Sequence, residues 1–358
     1  MEVHRILVIN PGSTSTKVAV YRDTKSRFLK SIKHSPEDLA HFEKVIDQFE
    51  FRKKVIMDEL FKAEVKIQEI TAVIGRGGLV KPIKSGVYEV NNRLKEDLKR
   101  GVLGEHASNL GGLLADEIAR SLPNARAFIA DPVVVDELQP VARIAGHPKF
   151  NRISIFHALN HKAVARAHAK FLDKEYEEMN LIVAHLGGGI TVAAHKNGRV
   201  IDVNQGLDGE GPFSPERTGT LPVGDLAKLC FSGEYSYNDV KKMITGRGGY
   251  VAYFGTNDAY DIEMMAEKGN KKAQLIQEAL AYQVGKEVGA MSAVLKGNVD
   301  AIILTGGLAY NTWIVDYIKT MVAHIARIVV FPGEDEMKSL ALNALHAMRG
   351  DVKCEVYK

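Results

Sequence analysis

Residues 6–21, ILVINPGSTSTKVAVY, place four hydroxyls and one ammonium at a turn between two apolar runs. Ser13, Thr14, Ser15, Thr16 and Lys17 follow directly on Asn10, Pro11 and Gly12. Backbone N–H groups, hydroxyls and an ammonium are the donors a polyphosphate needs around it. The same residue types also build an ordinary hairpin turn for backbone reasons alone, and the stretch by itself leaves both readings open. Two more glycine-rich turns follow apolar runs, Gly187-Gly188-Gly189 and Gly306-Gly307. Glycine at a strand end lets the backbone approach a ligand closely. Two such turns facing across a cleft could hold phosphates, and the third a nucleoside.

Other side chains could act on a phosphoryl group. Arg76 lies in the string GRGG, and the same string recurs around Arg247. A planar guanidinium suits carboxylate and phosphate alike; the plain alternative is a solvated turn arginine. Asp131 follows the apolar run Ala127–Ala130, with Pro132 behind it. A catalytic carboxylate at a strand end and a turn cap fit that position equally well. His157 and His161 are four apart and share one face of a helix. Such a pair could bind zinc, but no H-E-x-x-H is present and nothing marks a third ligand. The sequence has no G-x-x-x-x-G-K-[ST] and no G-x-G-x-x-G opening a helix, so a P-loop and a dinucleotide fold are excluded.

The elements that must position these residues alternate. At 358 residues the chain suggests roughly two domains. Hydrophobic content of 46% and charged content of 25% are those of an ordinary globular protein. A net charge of +3 without a basic block argues against nucleic acid as a partner. Cys230 and Cys354 lie far apart and make no disulfide framework. The N-terminus lacks signal-peptide features and no apolar run is long enough to span a membrane, so a cytoplasmic protein without a membrane partner is expected. A hairpin at 6–21 and a strand at 28–33 lead to Ser35-Pro36-Glu37-Asp38, a helix start with a Ser cap, Pro in the first turn and acids behind. Leu39, Phe42, Val45, Ile46 and Phe49 continue it at helical spacing. Strands are expected at 70–74, 127–130, 181–184 and 328–331, and helices at 106–122, 156–171, 271–295 and 337–349. Alternating strands and helices imply an α/β protein. LIVAHLGGGITVAAHKNGRV repeats the logic of ILVINPGSTSTKVAVYRD half a chain later. That echo points to a duplicated domain with a ligand cleft between the halves. The boundaries expected are 1–155 for the first domain and 156–334 for the second, with the helix at about 335–358 returning to the first.

Taken together the motifs resemble the acetate and butyrate kinases, of the sugar kinase, heat-shock ATPase and actin superfamily. The resemblance runs over nearly the whole chain. FHALNH (156–161) is similar to the family's FHGTSH, HLGGG (185–189) to HLGNG, and RTGTLPVGD (217–225) stands where the family has its T-R-x-G segment. HASN (106–109) stands in place of HNPPN, and LTGGLAYN looks like the adenosine motif. The INPGSTSTK form and the short chain are more similar to the butyrate than to the acetate branch.

The resemblance implies two ribonuclease H-like, actin-like ATPase domains and phosphoryl transfer from ATP to a short-chain carboxylic acid, with butyrate expected. Acetate, propionate or a branched acid is the alternative, and an actin-like nucleotide switch the reading from another class. It implies catalytic roles for Arg76, Asp131, His157 and Arg217, with Arg247 as a rival to Arg76 and His161 structural. Asn10, Ser13, Ser15 and Lys17 carry over to the first phosphate motif. His185 leads into the second, formed by Gly187, Gly188 and Gly189. Asp258 falls near the ribose, and Gly306, Gly307 and Asn311 near the adenine. Asn10 and one acid of PGEDE are implied to reach Mg²⁺; Asp335 is preferred, with Glu334 or Glu336 one residue away. A homo-oligomer, at least a dimer, is implied as well. His106 and Phe156 fall near the acid. Gly78 replaces the valine usual in acetate kinases, and the missing isopropyl is expected to open the acid pocket. Gly188 replaces an asparagine, removing one side-chain donor from the second phosphate turn.

Overall fold

The computed structural model describes residues 2–358. The chain forms two compact units, the first comprising residues up to Val135 together with Asp335–Lys358, the second Asp136–Glu334. Residues 136–155 therefore pack with the second unit.

The first unit is built on a six-stranded sheet in the order β3-β2-β1-β4-β6-β5. Its strands are β1 (Arg5–Pro11), β2 (Ser15–Arg22), β3 (Lys25–Lys33), β4 (Ala72–Arg76), β5 (Val87–Glu89) and β6 (Arg126–Ala130). β1, β2 and β3 form an antiparallel meander, and β4 and β6 extend the sheet in parallel from β1. Ile6 to Ile9 and Val73 to Ile74 are wholly buried. A strand covered on both faces needs such an unbroken apolar run. β3 is the exposed edge, and its sequence KSRFLKSIK carries the lysines that keep edges from pairing. The helix Asn109–Arg120 lies very close to β4. A Cβ on Gly75 would fall 2.0 Å from the Gly111 carbonyl oxygen, and one on Gly111 2.3 Å from that of Arg76. The chain ends in this unit, where the buried Tyr357 hydroxyl donates to Asp97 Oδ2 at 2.8 Å.

The second unit repeats the plan. Its five-stranded sheet runs β11-β10-β7-β8-β9, from β7 (Asn180–Leu186), β8 (Ile190–Lys196), β9 (Arg199–Val203), β10 (Ala301–Gly306) and β11 (Ile328–Pro332). β7, β8 and β9 are an antiparallel meander, and β10 and β11 extend it in parallel from β7. The meander is irregular at Ala194/His195, as that of the first unit is at Val20/Tyr21. The expected duplication is thus a repeated topology. The helix Lys271–Val294 covers one face through Leu280, Val284, Val288 and Met291.

Most expected elements are present within a few residues. The exception is the helix starting at Ser35. Its capping box forms, with Asp38 N–H on Ser35 Oγ, but the helix stops at Ala40 and a new one runs from Phe49 to Lys62. The apolar residues at 39–49 are only half-buried, spread over two short pieces, Pro36–Ala40 and Val45–Gln48, and the residues beside them.

Candidate functional site

In the first unit the parallel strands and the first hairpin bring their ends together. The turn of the hairpin is Gly12-Ser13-Thr14, closed by Gly12 N–H on the Ser15 carbonyl at 2.7 Å. Ser13 and Lys17 are exposed and Ser15 is half-buried. Beneath the turn lies Arg52, a residue the motif reading missed. It is fully buried, and no carboxylate pairs with it among the described residues. Its Nη1 donates to Ser15 O at 3.2 Å and Thr16 Oγ1 at 2.9 Å, its Nη2 to Ser13 O at 3.3 Å, and its Nε to Gln48 Oε1 at 3.0 Å. Burial pushes its guanidinium down to about 10. Arg52 shares its buried helix face with Ile56 and Leu60. A lone arginine in an apolar stripe at spacing four was the available signal.

Arg76 ends β4 and is held by Glu336, with Nη1 3.0 Å from Oε1. Asn10 Nδ2 donates to Glu336 Oε2 at 2.6 Å. Among the three acids of PGEDE, only Glu336 stands beside Asn10. Asp335, preferred from sequence, caps the helix Glu336–Arg349 by accepting from Lys338 N–H at 3.0 Å. Glu334 belongs to the second unit, its Oε2 3.6 Å from His185 Nε2. A carboxylate and an amide oxygen are the hard donors magnesium prefers, with substrate phosphates and waters completing the shell.

Asp131 follows β6 with a φ of 38°, a left-handed backbone uncommon for a residue with a side chain. Its buried carboxylate accepts from Ser85 Oγ at 2.6 Å and Gly86 N–H at 2.9 Å. It thus braces the loop before β5. His106 is exposed, and its Nδ1 accepts from Ser108 N–H at 3.1 Å ahead of the helix Asn109–Arg120. The expectation for Gly78 is corrected. A Cβ there would lie 2.4 Å from Asn109 Oδ1 and 2.5 Å from Asn109 Cα, so the missing side chain makes room for Asn109. Asn109 Oδ1 in turn accepts from Leu79 N–H at 2.8 Å. Gly78 serves close packing of loop on helix, and a valine there would collide with backbone rather than narrow a pocket.

In the second unit the turn Gly187–Gly189 joins β7 to β8. A Cβ on Gly189 would stand 1.8 Å from Arg217 Nη1. The glycine turn is therefore the seat of the Arg217 guanidinium. Arg217 Nη1 also donates to the Gly206 carbonyl, while its Nε is buried with no hydrogen-bond partner among the described residues. Burial lowers its pKa, with Glu216 opposing. The second GRGG has a packing role. A Cβ on Gly248 would meet Thr218 N at 2.5 Å, and one on Gly249, at φ 54°, Ser214 O at 1.6 Å. Arg247 itself is exposed. Gly188 O accepts from Ser214 Oγ at 2.5 Å, which ties the turn to the Arg217 segment.

His157 stands just before the helix Ala158–Phe171, without a side-chain capping bond, and stacks on His185, with centroids 3.8 Å apart and planes 14° from parallel. His157 Nδ1 and His161 Nε2 both reach Thr191 Oγ1, at 3.0 and 2.9 Å. Phe156 is buried edge-on against His161, with ring centroids 5.2 Å apart, as a core side chain. At the end of β10, Gly306 has φ 91°, and a Cβ would fall 2.4 Å from Leu186 O. Gly307 faces open space. Asn311 and Asp258 both cap helices, accepting from Ile314 N–H and Tyr260 N–H at 2.9 Å. Asn311 is buried and Asp258 exposed.

A relative from Clostridium acetobutylicum named butyrate kinase 1 is 54% identical over 356 residues, 99% of this chain and 100% of its own. A profile of the acetokinase family matches residues 151–332. The chain belongs to the acetokinase family. The Porphyromonas gingivalis acetate kinase structure superposes with a TM-score of 0.78 at 20% identity, covering 96% of this chain and all of that one. A Francisella tularensis subsp. tularensis SCHU S4 propionate kinase gives 0.75 at 20% identity, covering 95% and 98%. At that identity the two structures establish the fold, the duplicated actin-like ATPase architecture. No helix among the described residues is long and apolar enough to cross a membrane.

Proposed function

We propose that the protein is a short-chain fatty acid kinase whose acid is butyrate: butanoate + ATP gives butanoyl phosphate + ADP. The observation that carries this is the 54% identity to a butyrate kinase over essentially the whole chain. In the transfer, a carboxylate oxygen of the acid bonds to the γ-phosphorus. The bond from that phosphorus to the β–γ bridging oxygen breaks, and ADP leaves with the electron pair. Such a transition state calls for positioning and charge stabilisation more than covalent help.

The residues divide that work. Ser13, Ser15 and Lys17 offer hydroxyls and an ammonium to the phosphates. Arg217 offers a guanidinium held in the second glycine turn; its buried Nε, without a partner among the described residues, supports a role toward an anion. His157 donates to the transferring phosphoryl, and Arg76 holds the carboxylate of the acid once Glu336 shares its charge elsewhere. Asp131 shapes the loop at the acid side. Gly306, Gly307 and Asn311 line the adenine side, with Asp258 toward the ribose. Asn10 and Glu336 would hold Mg²⁺, which supplies charge neutralisation on the β- and γ-oxygens. A cytoplasmic enzyme that is at least a dimer goes with this reading.

The test is ATP turnover against acetate, propionate, butyrate, isobutyrate, valerate and no acid, with acyl phosphate captured by hydroxylamine. A maximum at butyrate with hydroxamate formed is expected. A maximum at acetate would keep the transfer and reject the acid; ADP release indifferent to every acid would reject the kinase.

A further inference from the structure

Behind His157 runs a continuous hydrogen-bonded chain of side chains, all in the second unit. Tyr176 Oη lies 2.7 Å from His195 Nδ1. His195 Nε2 lies 3.3 Å from His161 Nδ1, and His161 Nε2 lies 2.9 Å from Thr191 Oγ1. Thr191 Oγ1 lies 3.0 Å from His157 Nδ1. His161, His195 and Thr191 have no solvent exposure, and Tyr176 is buried. The motif reading treated His161 as structural and saw none of the rest.

We propose that Tyr176, His195, His161 and Thr191 act as a one-way chain that holds His157 in the tautomer with its proton on Nε2. A neutral imidazole has one donor and one acceptor nitrogen. Once the direction of one imidazole link is set, the other imidazole links follow. The direction is set at Tyr176. A phenol O–H is a far stronger acid than an imidazole N–H, and an imidazole nitrogen is a far better acceptor than a phenol oxygen. Tyr176 therefore donates to His195 Nδ1, His195 Nε2–H to His161 Nδ1, and His161 Nε2–H to Thr191 Oγ1. The Thr191 hydroxyl is buried and has no other hydrogen-bond partner among the described residues, so its own proton is satisfied only by donation to His157 Nδ1, which puts the His157 proton on Nε2. The reverse direction would leave Nε2 a lone-pair acceptor, which repels phosphoryl oxygens.

The stacked partner is set in the same sense by an independent route. Thr305 Oγ1 donates to Gly333 O at 3.1 Å and so must accept from Asn160 Nδ2 at 3.2 Å. The other Asn160 N–H then points to His185 Nδ1 at 2.8 Å, which puts the His185 proton on Nε2. Burial holds His161 and His195 well below the usual histidine range, which keeps the chain neutral. Partners of this kind behind a functional imidazole typically change activity about 10–100-fold when removed.

The inference rests on the proposed role of His157, but its first test does not. Protein labelled with ¹⁵N-histidine is examined at neutral pH by long-range ¹H–¹⁵N correlation, with His157 assigned by loss of its signals in His157→Gln. The expected pattern is an unprotonated Nδ1 and a protonated Nε2. Thr191→Val, which cuts the last link, and Tyr176→Phe, which removes the anchor, should give mixed tautomers at His157. Both should lower kcat about 10-fold with KM for ATP and acid changed less than about 2-fold. Thr191→Ser should restore both readouts. A wild-type His157 protonated on Nδ1, or an unchanged His157 pattern in Thr191→Val, would overturn the chain. An Nε2–H tautomer together with unimpaired turnover in His157→Gln would support the chain and overturn the phosphoryl role.

Discussion

A single methyl group can displace the proposed catalytic arginine without touching it. In Gly189→Ala the new Cβ would start 1.8 Å from Arg217 Nη1 and 2.6 Å from its Cζ. Ordinary contact begins at 3.4 Å, so the guanidinium must retreat until it clears that distance. The third close atom is Nη2 of the same side chain, at 3.3 Å. The collision is thus confined to the far end of one flexible residue. Gly189 carries no left-handed φ, so alanine adds no backbone strain. A shift of this size exceeds the ~1 Å misplacement that can reduce rates about 100-fold. Loss of one transition-state donor gives a similar figure, about 100- to 1,000-fold in kcat. Gly189→Ala should therefore lose at least about 100-fold in kcat. Its urea unfolding midpoint should stay near wild type. Initial rates by hydroxamate capture, run beside Arg217→Ala, make the comparison. Wild-type kcat in Gly189→Ala would mean that the guanidinium does its work from elsewhere, or does none. A collapsed unfolding midpoint would mean that the turn, and not the arginine, had been disturbed.

Three further outcomes are expected. Arg52→Met should destabilise the first unit by about 2–6 kcal/mol: Thr16 Oγ1 and Ser15 O lose a charged donor, at about 1–3 kcal/mol each. They keep His34 Nε2 and Gly12 N–H, while Ser13 and Gln48 turn to water. An unchanged urea midpoint would refute this. Glu336→Gln should raise the Mg²⁺ concentration for half-maximal rate by about 10-fold, as one lost charged ligand would, while Asp335→Asn, which still caps its helix, should leave it alone; equal effects of the two would reject the Glu336 assignment. His161 and His195 are buried with pKa values well below the usual range, by desolvation first and then by neighbouring imidazoles and the Lys162 ammonium. Their folded values lie below the unfolded value of about 6.5, so the stability is complete above that pH and is lost as pH falls below it. The limiting slope is about 1.4 kcal/mol per pH unit for each histidine. An unfolding midpoint equal at pH 7.5 and 5.5 would contradict it.

Much of the architecture could be read from local pattern. The unbroken apolar runs of β1 and β7, the hairpin that each opens, and the glycine turns at their ends required only period and composition. So did the Ser35 cap, which forms as its residues dictate even though the helix behind it ends early. The order of the family motifs along the chain was enough to propose Arg76, Asp131, His157 and Arg217 as site residues. What such reading could not supply was who stands against whom. Gly78 looked like an opened pocket, yet Asn109 of a later helix occupies its side-chain space. Asp335 and Glu336 are neighbours of one chemical type, and only the start of a helix decides that one caps it while the other faces Asn10. Arg52 and Tyr176 lie outside every motif, and Thr191 and His195 lie in the second hairpin with no role marked by its pattern; packing alone brings Arg52 beneath the first hairpin turn and the other three behind His157. Period and capping act over a few residues, so the sequence determined them by itself. Contacts between distant segments depend on how each unit's sheet packs with its own helices, and only the tertiary structure decided those.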